Sequence, residues 1–324
     1  MRKILKKKTT ALMLAISLLA VVIIPQGVAM ARGHIDVDKK CSFKVNISEE
    51  WADLKTTDFS VKLYKVASVD QNGVYTVTDE FSKLESKISD VNSETTADEW
   101  SNLAESATQI MTDGNLSEYR TVEIVKGNGK LEDVDTGLYL VYAEDAKSVK
   151  YGYSFVPYLL AAPNNIYATS GSGDDSWIYD DIDISLKPEQ YELKGDLEII
   201  KTLTTYNKAL GVPLFVFDVE AFDEEDKVIF SDVVSIAFDS AGTRKAVVKD
   251  IPAGAKVTVT EVYAGASYEI TSDSSLDVTI VAEDVVGVDF TNDYNNHLIY
   301  GTGVVNHFEY DGVGWTWHQL EDNE

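Results

Sequence analysis

Short stretches in which apolar and polar residues alternate run through most of the chain after residue 31. Side chains on a β-strand point alternately to its two faces, so a period of two predicts strands with one buried face. These stretches are also rich in valine, isoleucine, tyrosine, phenylalanine and threonine, which favour strands. The clearest examples are Phe59–Val66, Leu138–Tyr142, Leu214–Val219 and Lys256–Val262.

Turn-forming residues separate the alternating stretches, as at the Asn-Gly pairs 72–73 and 128–129. Many short strands with frequent turn signals are the pattern of a β-sandwich. Residues 79–112 differ, because they contain few β-branched residues and repeat apolar residues at helical spacing. We therefore predict a mainly β chain of two Ig-like sandwich domains. The first domain carries an insertion of one or two helices that end near Asp113-Gly114.

The length of the chain and the positions of its strand-breaking residues set the expected domain boundaries. Trp177–Leu186 is predicted to be the last strand of the first domain, and the polar residues 187–195 are predicted to be a linker. The 293 residues left when 31 are subtracted from 324 suit two domains. The expected parts are a first domain at 32–188, a second domain at 189–294 and a C-terminal hairpin within 295–324.

The first residues have the composition of a secretory signal peptide. A basic start is followed by an apolar run, Ala11–Ile24, and then by Ala29-Met30-Ala31, which has the small residues of a cleavage site. The apolar run is short for a membrane-spanning helix, which makes an uncleaved anchor the less favoured alternative. We expect residues 1–31 to be removed and the mature protein to be secreted, with no membrane segment.

Charge and cysteine content narrow the range of functions. The chain has 28 basic and 54 acidic residues, and loss of five basic residues with the signal peptide gives 23 − 54 = −31. So strong a negative charge argues against binding nucleic acid. Cys41 is the only cysteine, so no intrachain disulfide can form, and any covalent cross-link within the chain must be of another kind.

Three predicted strands of the second domain carry an apolar row that ends in a polar residue. The rows are Leu197, Ile199, Lys201; Val257, Val259, Glu261; and Val288, Phe290, Asn292. If the rows are adjacent, a cation, an anion and an amide are buried together and must satisfy one another. Burial lowers the pKa of a lysine and raises the pKa of a glutamate. The alternative is that the three polar residues lie at strand ends and reach solvent.

A buried trio of this kind contains the groups needed for a reaction between side chains of the same protein. A neutral Lys201 amine can attack the Asn292 carboxamide while a protonated Glu261 polarises the carbonyl and transfers protons. Ammonia then leaves and an amide bond remains. The requirements are a desolvated nucleophile, a proton carrier and enforced proximity.

Four parts of the second domain also carry a family resemblance. They are Gly195–Lys201, Pro213–Phe217, Val257–Glu261 with Ala264–Tyr268, and Val288–Asn292. In this order they resemble the first strand, the next strand, the E-box and the last strand of CnaB-type domains of Gram-positive surface proteins. The resemblance implies an isopeptide bond between Lys201 and Asn292 with Glu261 as the catalyst. The E-box departs from the common form at Val262, where threonine is usual, and lacks a proline before Gly265.

The first domain carries a second resemblance. Phe59–Val66, Thr136–Val141 and Tyr158–Pro163 look like the N-terminal domain of sortase-assembled pilins. Trp177–Pro188 is similar to the end of that domain, where a lysine receives the next subunit, but it has one extra residue and an exchanged Lys-Pro order. By this resemblance Lys187 is a candidate sortase acceptor; the alternative is an exposed linker lysine. The whole chain thus resembles Gram-positive pilin-like surface proteins of the SpaA/FimA type.

The resemblance implies a structural or adhesive pilin-like surface protein with other pilin subunits, sortase or host surface ligands as partners. No L-P-x-T-G sorting signal is present, so we expect an acceptor-only subunit, a secreted relative or a protein held by contacts. The alternative is a glycan- or matrix-binding adhesin outside a pilus, using Trp315 and Trp317. Multiple-turnover enzymes, cofactors and metals are not expected. The four histidines lack metal-ligand spacing, and no G-x-S-x-G or H-E-x-x-H motif occurs.

Overall fold

The computed structural model describes residues 34–91, 95–164, 177–297, 307–310 and 313–318. The predicted signal peptide and the loop 170–176 lie outside the described residues. In the described part of the chain, no helix has the length and apolar character needed to cross a membrane.

The chain divides into two compact units. The described residues up to Glu50, Asp58–Glu144 and Phe155–Lys187 form the first unit. The second unit consists of the described residues from Pro188 onward, together with two segments from earlier in the chain, Trp51–Thr57 and Asp145–Ser154.

The described residues are mainly β-strand, as the alternating pattern predicts. In chain order, the strands up to residue 192 are β1 (Cys41–Asn46), β2 (Phe59–Val69), β3 (Tyr75–Val77), β4 (Arg120–Ile124), β5 (Asn128–Val134), β6 (Gly137–Ala143), β7 (Ala146–Lys147), β8 (Tyr151–Phe155), β9 (Tyr158–Ala162), β10 (Ile182–Asp183) and β11 (Pro188–Glu192). The later strands are β12 (Lys194–Leu203), β13 (Leu214–Phe222), β14 (Val228–Ala237), β15 (Gly242–Pro252), β16 (Lys256–Tyr263), β17 (Tyr268–Ile270), β18 (Ser275–Thr279), β19 (Val285–Tyr294), β20 (His307–Tyr310) and β21 (Trp315–His318). The α-helices are α1 (Ala52–Lys55), α2 (Glu85–Ser89) and α3 (Ala97–Gly114), with 3-10 turns at Glu49–Trp51, Asp79–Leu84 and Lys208–Leu210.

The first unit is a sandwich of two sheets. Their strand orders are β10-β1-β5 and β3-β2-β6-β9, with β4 also paired to β2. Phe43 of β1 meets Tyr139 of β6 edge to face, with ring centroids 5.9 Å apart, so a core lies between the sheets.

The predicted helical insertion is confirmed. A capping box, in which Thr96 and Glu99 exchange hydrogen bonds, begins α3. The helix ends at Gly114, and Asn115 follows in the left-handed conformation. Leu103 and Ala107 of α3 pack in one cluster with Leu140 of β6, so the insertion covers a face of the five-stranded sheet.

The strand and the linker predicted for residues 177–195 differ from the structure. Trp177–Leu186 does not form one strand: the strand there is limited to Ile182–Asp183, which pairs with β1. Asp181 precedes it in a left-handed conformation, φ 53°, and donates its N–H to Ser42 Oγ, which ends regular pairing. The predicted linker contains β11, which lies beside β8. Pro188 is tolerated because it is the first residue of that strand.

The second unit contains the sandwich that carries the three polar residues. One sheet has the order β15-β12-β19-β17 and the other has β14-β13-β16-β18. The apolar side chains between them form one buried cluster that includes Leu197, Phe217, Val259 and Phe290. In the described part of the tail, β20 and β21 pair as an antiparallel hairpin, as predicted.

Candidate functional site

Lys201 lies in the core because β12 alternates strictly. Leu197, Ile199, Lys201 and Leu203 are each at most 1% exposed. The residues between them are only partly buried, so they belong to the other face of the sheet. The lysine is thus the one charged member of an otherwise apolar inward row.

Asn292 reaches the same place from the neighbouring strand. The strands β12 and β19 are parallel, with Lys201 opposite Phe290 and Leu203 opposite Asn292. Both strands turn these residues inward, so Lys201 and Asn292 are offset by one inward position on adjacent strands. Glu261 comes from β16 in the facing sheet. Two of the three polar rows are therefore adjacent, and the third faces them across the core.

The three polar side chains meet directly. Lys201 Nζ donates to Glu261 Oε2 at 2.7 Å and to Asn292 Oδ1 at 2.5 Å. Asn292 Nδ2 donates to Glu261 Oε1 at 2.6 Å and to the backbone carbonyl of Ala264 at 3.2 Å. All three residues are buried, so the alternative that they reach solvent is wrong. We call Lys201, Glu261 and Asn292 the core triad.

Aromatic rings surround the amine of the triad. Lys201 Nζ lies 5.0 Å from the ring centroid of Phe215, 5.6 Å from that of Phe217 and 6.0 Å from that of Phe290. These rings exclude water and lower the local dielectric, which strengthens every polar contact made inside them. These rings were not predicted to be part of the site, although the alternation of Pro213–Phe217 places Phe215 and Phe217 on one face.

Burial changes the protonation of the triad. It lowers the pKa of the Lys201 amine, against the opposing effect of the hydrogen bond to Glu261. It raises the pKa of Glu261, against the opposing effect of Lys201. Both shifts favour neutral groups, since removing a charge from water disfavours the charged form. An uncharged amine beside a carboxylic acid is the state required for attack on an amide.

The arrangement places one carboxyl group between two nitrogens. Oε2 of Glu261 contacts the attacking nitrogen of Lys201, and Oε1 contacts the amide nitrogen of Asn292. The carboxyl can therefore accept a proton from one nitrogen and deliver a proton to the other. The sequence-based mechanism placed Glu261 on the carbonyl oxygen of Asn292, but in this structure that oxygen faces Lys201.

The remaining sequence-predicted groups lie elsewhere. Lys187 is partly buried and directly precedes β11. Trp315 of β21 is 48% exposed, and Trp317 lies in the same strand. Cys41 is a buried free thiol of β1, and burial raises its pKa to about 12. No cluster of metal-ligating side chains occurs within the residues that the structure describes.

Comparisons with known proteins give one family match and several structural similarities. A family model described as a domain of unknown function (DUF5979) matches residues 197–295. No curated protein has significant similarity to the chain.

Three solved structures illustrate the structural similarities. The chain is similar to the Streptococcal ancillary pilin, with 12% identity, 79% of this chain and 69% of that chain covered, and a TM-score of 0.27. It is similar to GBS52, the minor pilin of Streptococcus agalactiae, with 14% identity, 76% and 87% coverage, and a TM-score of 0.24. It is also similar to the major pilin SpaD of Corynebacterium diphtheriae, with 10% identity, 82% and 100% coverage, and a TM-score of 0.27. At these TM-scores the similarities carry no functional conclusion, which must come from the residues of this chain.

Proposed function

We propose that this chain is a secreted, pilin-like structural or adhesive surface protein whose second unit is held by an isopeptide bond between Lys201 and Asn292. Glu261 is the proton carrier that forms the bond. The observation that carries the proposal is the buried contact of the core triad, in which amine, acid and carboxamide are within hydrogen-bonding distance. The chemistry is a single turnover on the protein itself.

The bond would give the unit a cross-link that suits an exported protein. It joins β12 to β19, through residues 91 positions apart in the chain. In the chain-entropy model, a cross-link that closes a loop of this size stabilises the folded state by roughly 4–5 kcal/mol. An amide also withstands the reducing agents that cleave disulfides. This chain has one cysteine, so it cannot use a disulfide for the purpose.

Peptide mapping tests the bond at the level of residues. After complete proteolysis of the unfolded protein, we expect a branched peptide in which the Lys201 side chain is joined to the Asn292 side chain. The Glu261→Gln protein should give the two corresponding linear peptides instead. Separate linear peptides from the wild-type protein would refute the proposed bond.

The rate of bond formation should have its maximum below the pH at which an ordinary lysine becomes neutral. An ordinary lysine is neutral only near its pKa of about 10.4, but the lowered pKa of Lys201 supplies neutral amine at lower pH. Acidification protonates the amine and slows the reaction. Alkaline pH above the raised pKa of Glu261 removes the acid proton and also slows it. The measurement is intact mass against time after unreacted protein, recovered unfolded from cells before the bond has formed, is refolded at a series of pH values. A rate that rises steadily to about pH 10, as for an exposed lysine, would contradict this.

The pilin-like part of the proposal concerns Lys187. Its resemblance to a pilin acceptor lysine and its position directly before β11 make it the candidate site for joining to another subunit. We expect a sortase and a peptide ending in L-P-x-T-G to modify the wild-type protein and not Lys187→Ala. Lys194→Ala, which removes an exposed lysine at the start of β12, is the matched control. Equal modification of Lys187→Ala would show that Lys187 is not the acceptor.

A further inference from the structure

The carboxamide of Asn292 has a defined orientation in the core. Its oxygen accepts from Lys201 Nζ, and its nitrogen donates to Glu261 Oε1 and to the carbonyl of Ala264. A carboxamide has two N–H donors, and both are satisfied here. The orientation determines the reaction, because the nitrogen is the group that must leave.

Two of the three partners of Asn292 cannot set this orientation by themselves. A protonated carboxyl both donates and accepts, so Glu261 can face either the oxygen or the nitrogen of a carboxamide. A neutral amine also donates through its hydrogens and accepts through its lone pair. A backbone carbonyl only accepts. The carbonyl of Ala264 can therefore pair only with the nitrogen of Asn292. It is the partner that determines which way the carboxamide is oriented.

We propose that the backbone carbonyl of Ala264 is a positioning group for formation of the cross-link, an inference that rests on the function proposed above. It holds the leaving nitrogen of Asn292 on Glu261 while the carbonyl side faces Lys201. In the reaction a bond forms between Lys201 Nζ and Asn292 Cγ, and the Cγ–Nδ2 bond breaks. One proton passes from Nζ through the Glu261 carboxyl to Nδ2, which leaves as ammonia.

The backbone conformation of Gly265 sets the direction of the Ala264 carbonyl. Its φ of 82° lies in the left-handed region, which glycine adopts without the steric cost of a Cβ atom. A Cβ atom at this position would lie 3.3 Å from the Phe215 ring and 3.4 Å from the Tyr268 ring. The Ala264–Gly265 peptide is therefore confined both by its backbone conformation and by two buried rings. A side chain at position 265 should shift the carbonyl away from Asn292.

The test compares Gly265→Ala with a matched glycine variant. Gly211 has a similar φ of 78°, but a Cβ atom there would meet nothing within 4 Å. Each protein is recovered unfolded in denaturant, refolded, and sampled for loss of ammonia by intact mass. We expect Gly265→Ala to react roughly tenfold to a hundredfold more slowly than wild type. Misplacing a reacting group by about 1 Å can lower the rate by about a hundredfold. Gly211→Ala should react at the wild-type rate.

Two further measurements separate positioning from general destabilisation. Gly265→Asn carries the same Cβ atom but tolerates the left-handed region better, so it should recover part of the rate. Thermal unfolding of Gly265→Ala and Gly211→Ala in a Glu261→Gln background gives the structural cost of each change without the bond. A wild-type rate in Gly265→Ala, or slowing of both variants in proportion to their lost stability, would overturn the inference. Absence of ammonia loss in the wild-type protein would instead refute the proposed function, and the inference with it.

Discussion

Replacing Glu261 with glutamine should lower the thermal unfolding midpoint of the second unit by roughly 8–20 °C. Glutamine has nearly the same shape as glutamate but cannot accept and return a proton, so the bond between Lys201 and Asn292 does not form. The lost cross-link is worth roughly 4–5 kcal/mol, and each kcal/mol shifts the midpoint of a unit of this size by about 2–4 °C. Differential scanning calorimetry measures the change.

The matched control for this variant is Glu269→Gln. Glu269 lies in β17 of the same unit and is exposed, so its replacement removes one carboxylate without touching the core triad. It should unfold within a few degrees of the wild type, as is usual for surface substitutions. Equal midpoints for wild type and Glu261→Gln would mean that no cross-link stabilises the unit.

Two substitutions of Lys201 should differ sharply, although neither can form the bond. Lys201→Ala also leaves a cavity in the core, which adds a loss of about 2–5 kcal/mol. The total approaches the whole stability of a domain, about 5–15 kcal/mol, so the unit should be largely unfolded at 37 °C. Lys201→Met fills the same space with an apolar chain and should fold without the cross-link. Circular dichroism and urea unfolding distinguish the two, and equal stability of the two variants would contradict this reading of the core.

The Lys201→Met protein should also be more stable at about pH 5 than at about pH 7. Burial raises the pKa of Glu261, and in the wild-type protein Lys201 opposes that rise. Without the lysine, the folded state binds the proton of Glu261 more tightly than the unfolded state does. Stability is then greatest below the unfolded pKa and is lost as the pH rises through the folded pKa. Urea unfolding at the two pH values measures this, and the reverse order would exclude a buried Glu261.

Much of the fold and the inward side chains of the site could be predicted from alternation. Residues two apart share a face of a strand, so the apolar rows of β12, β16 and β19 place Lys201, Glu261 and Asn292 inward whatever the neighbouring strands are. Helical spacing likewise predicted α3, including its end at Gly114. These features depend on local periodicity, which a single sequence contains.

Features that depend on distant pairing or on the backbone could not be predicted. Alternation does not say which sheet holds a strand, so the position of Glu261 across the core from Lys201 was not foreseen. The carbonyl of Ala264 has no side-chain signature, and Gly265 is the one local sign of the turn that presents it. The break at Asp181 was missed because it depends on a left-handed residue held by Ser42, far away in the chain.

Loss of one ammonia from the purified protein is the most direct sign of the bond between Lys201 and Asn292. Intact-mass spectrometry of the wild-type chain should give a mass lower by one ammonia than its residues add up to, and Glu261→Gln should give the full mass calculated for its sequence. A wild-type mass equal to the full sum would contradict the isopeptide bond. Lys201, Glu261 and Asn292 would then be a buried polar cluster and nothing more.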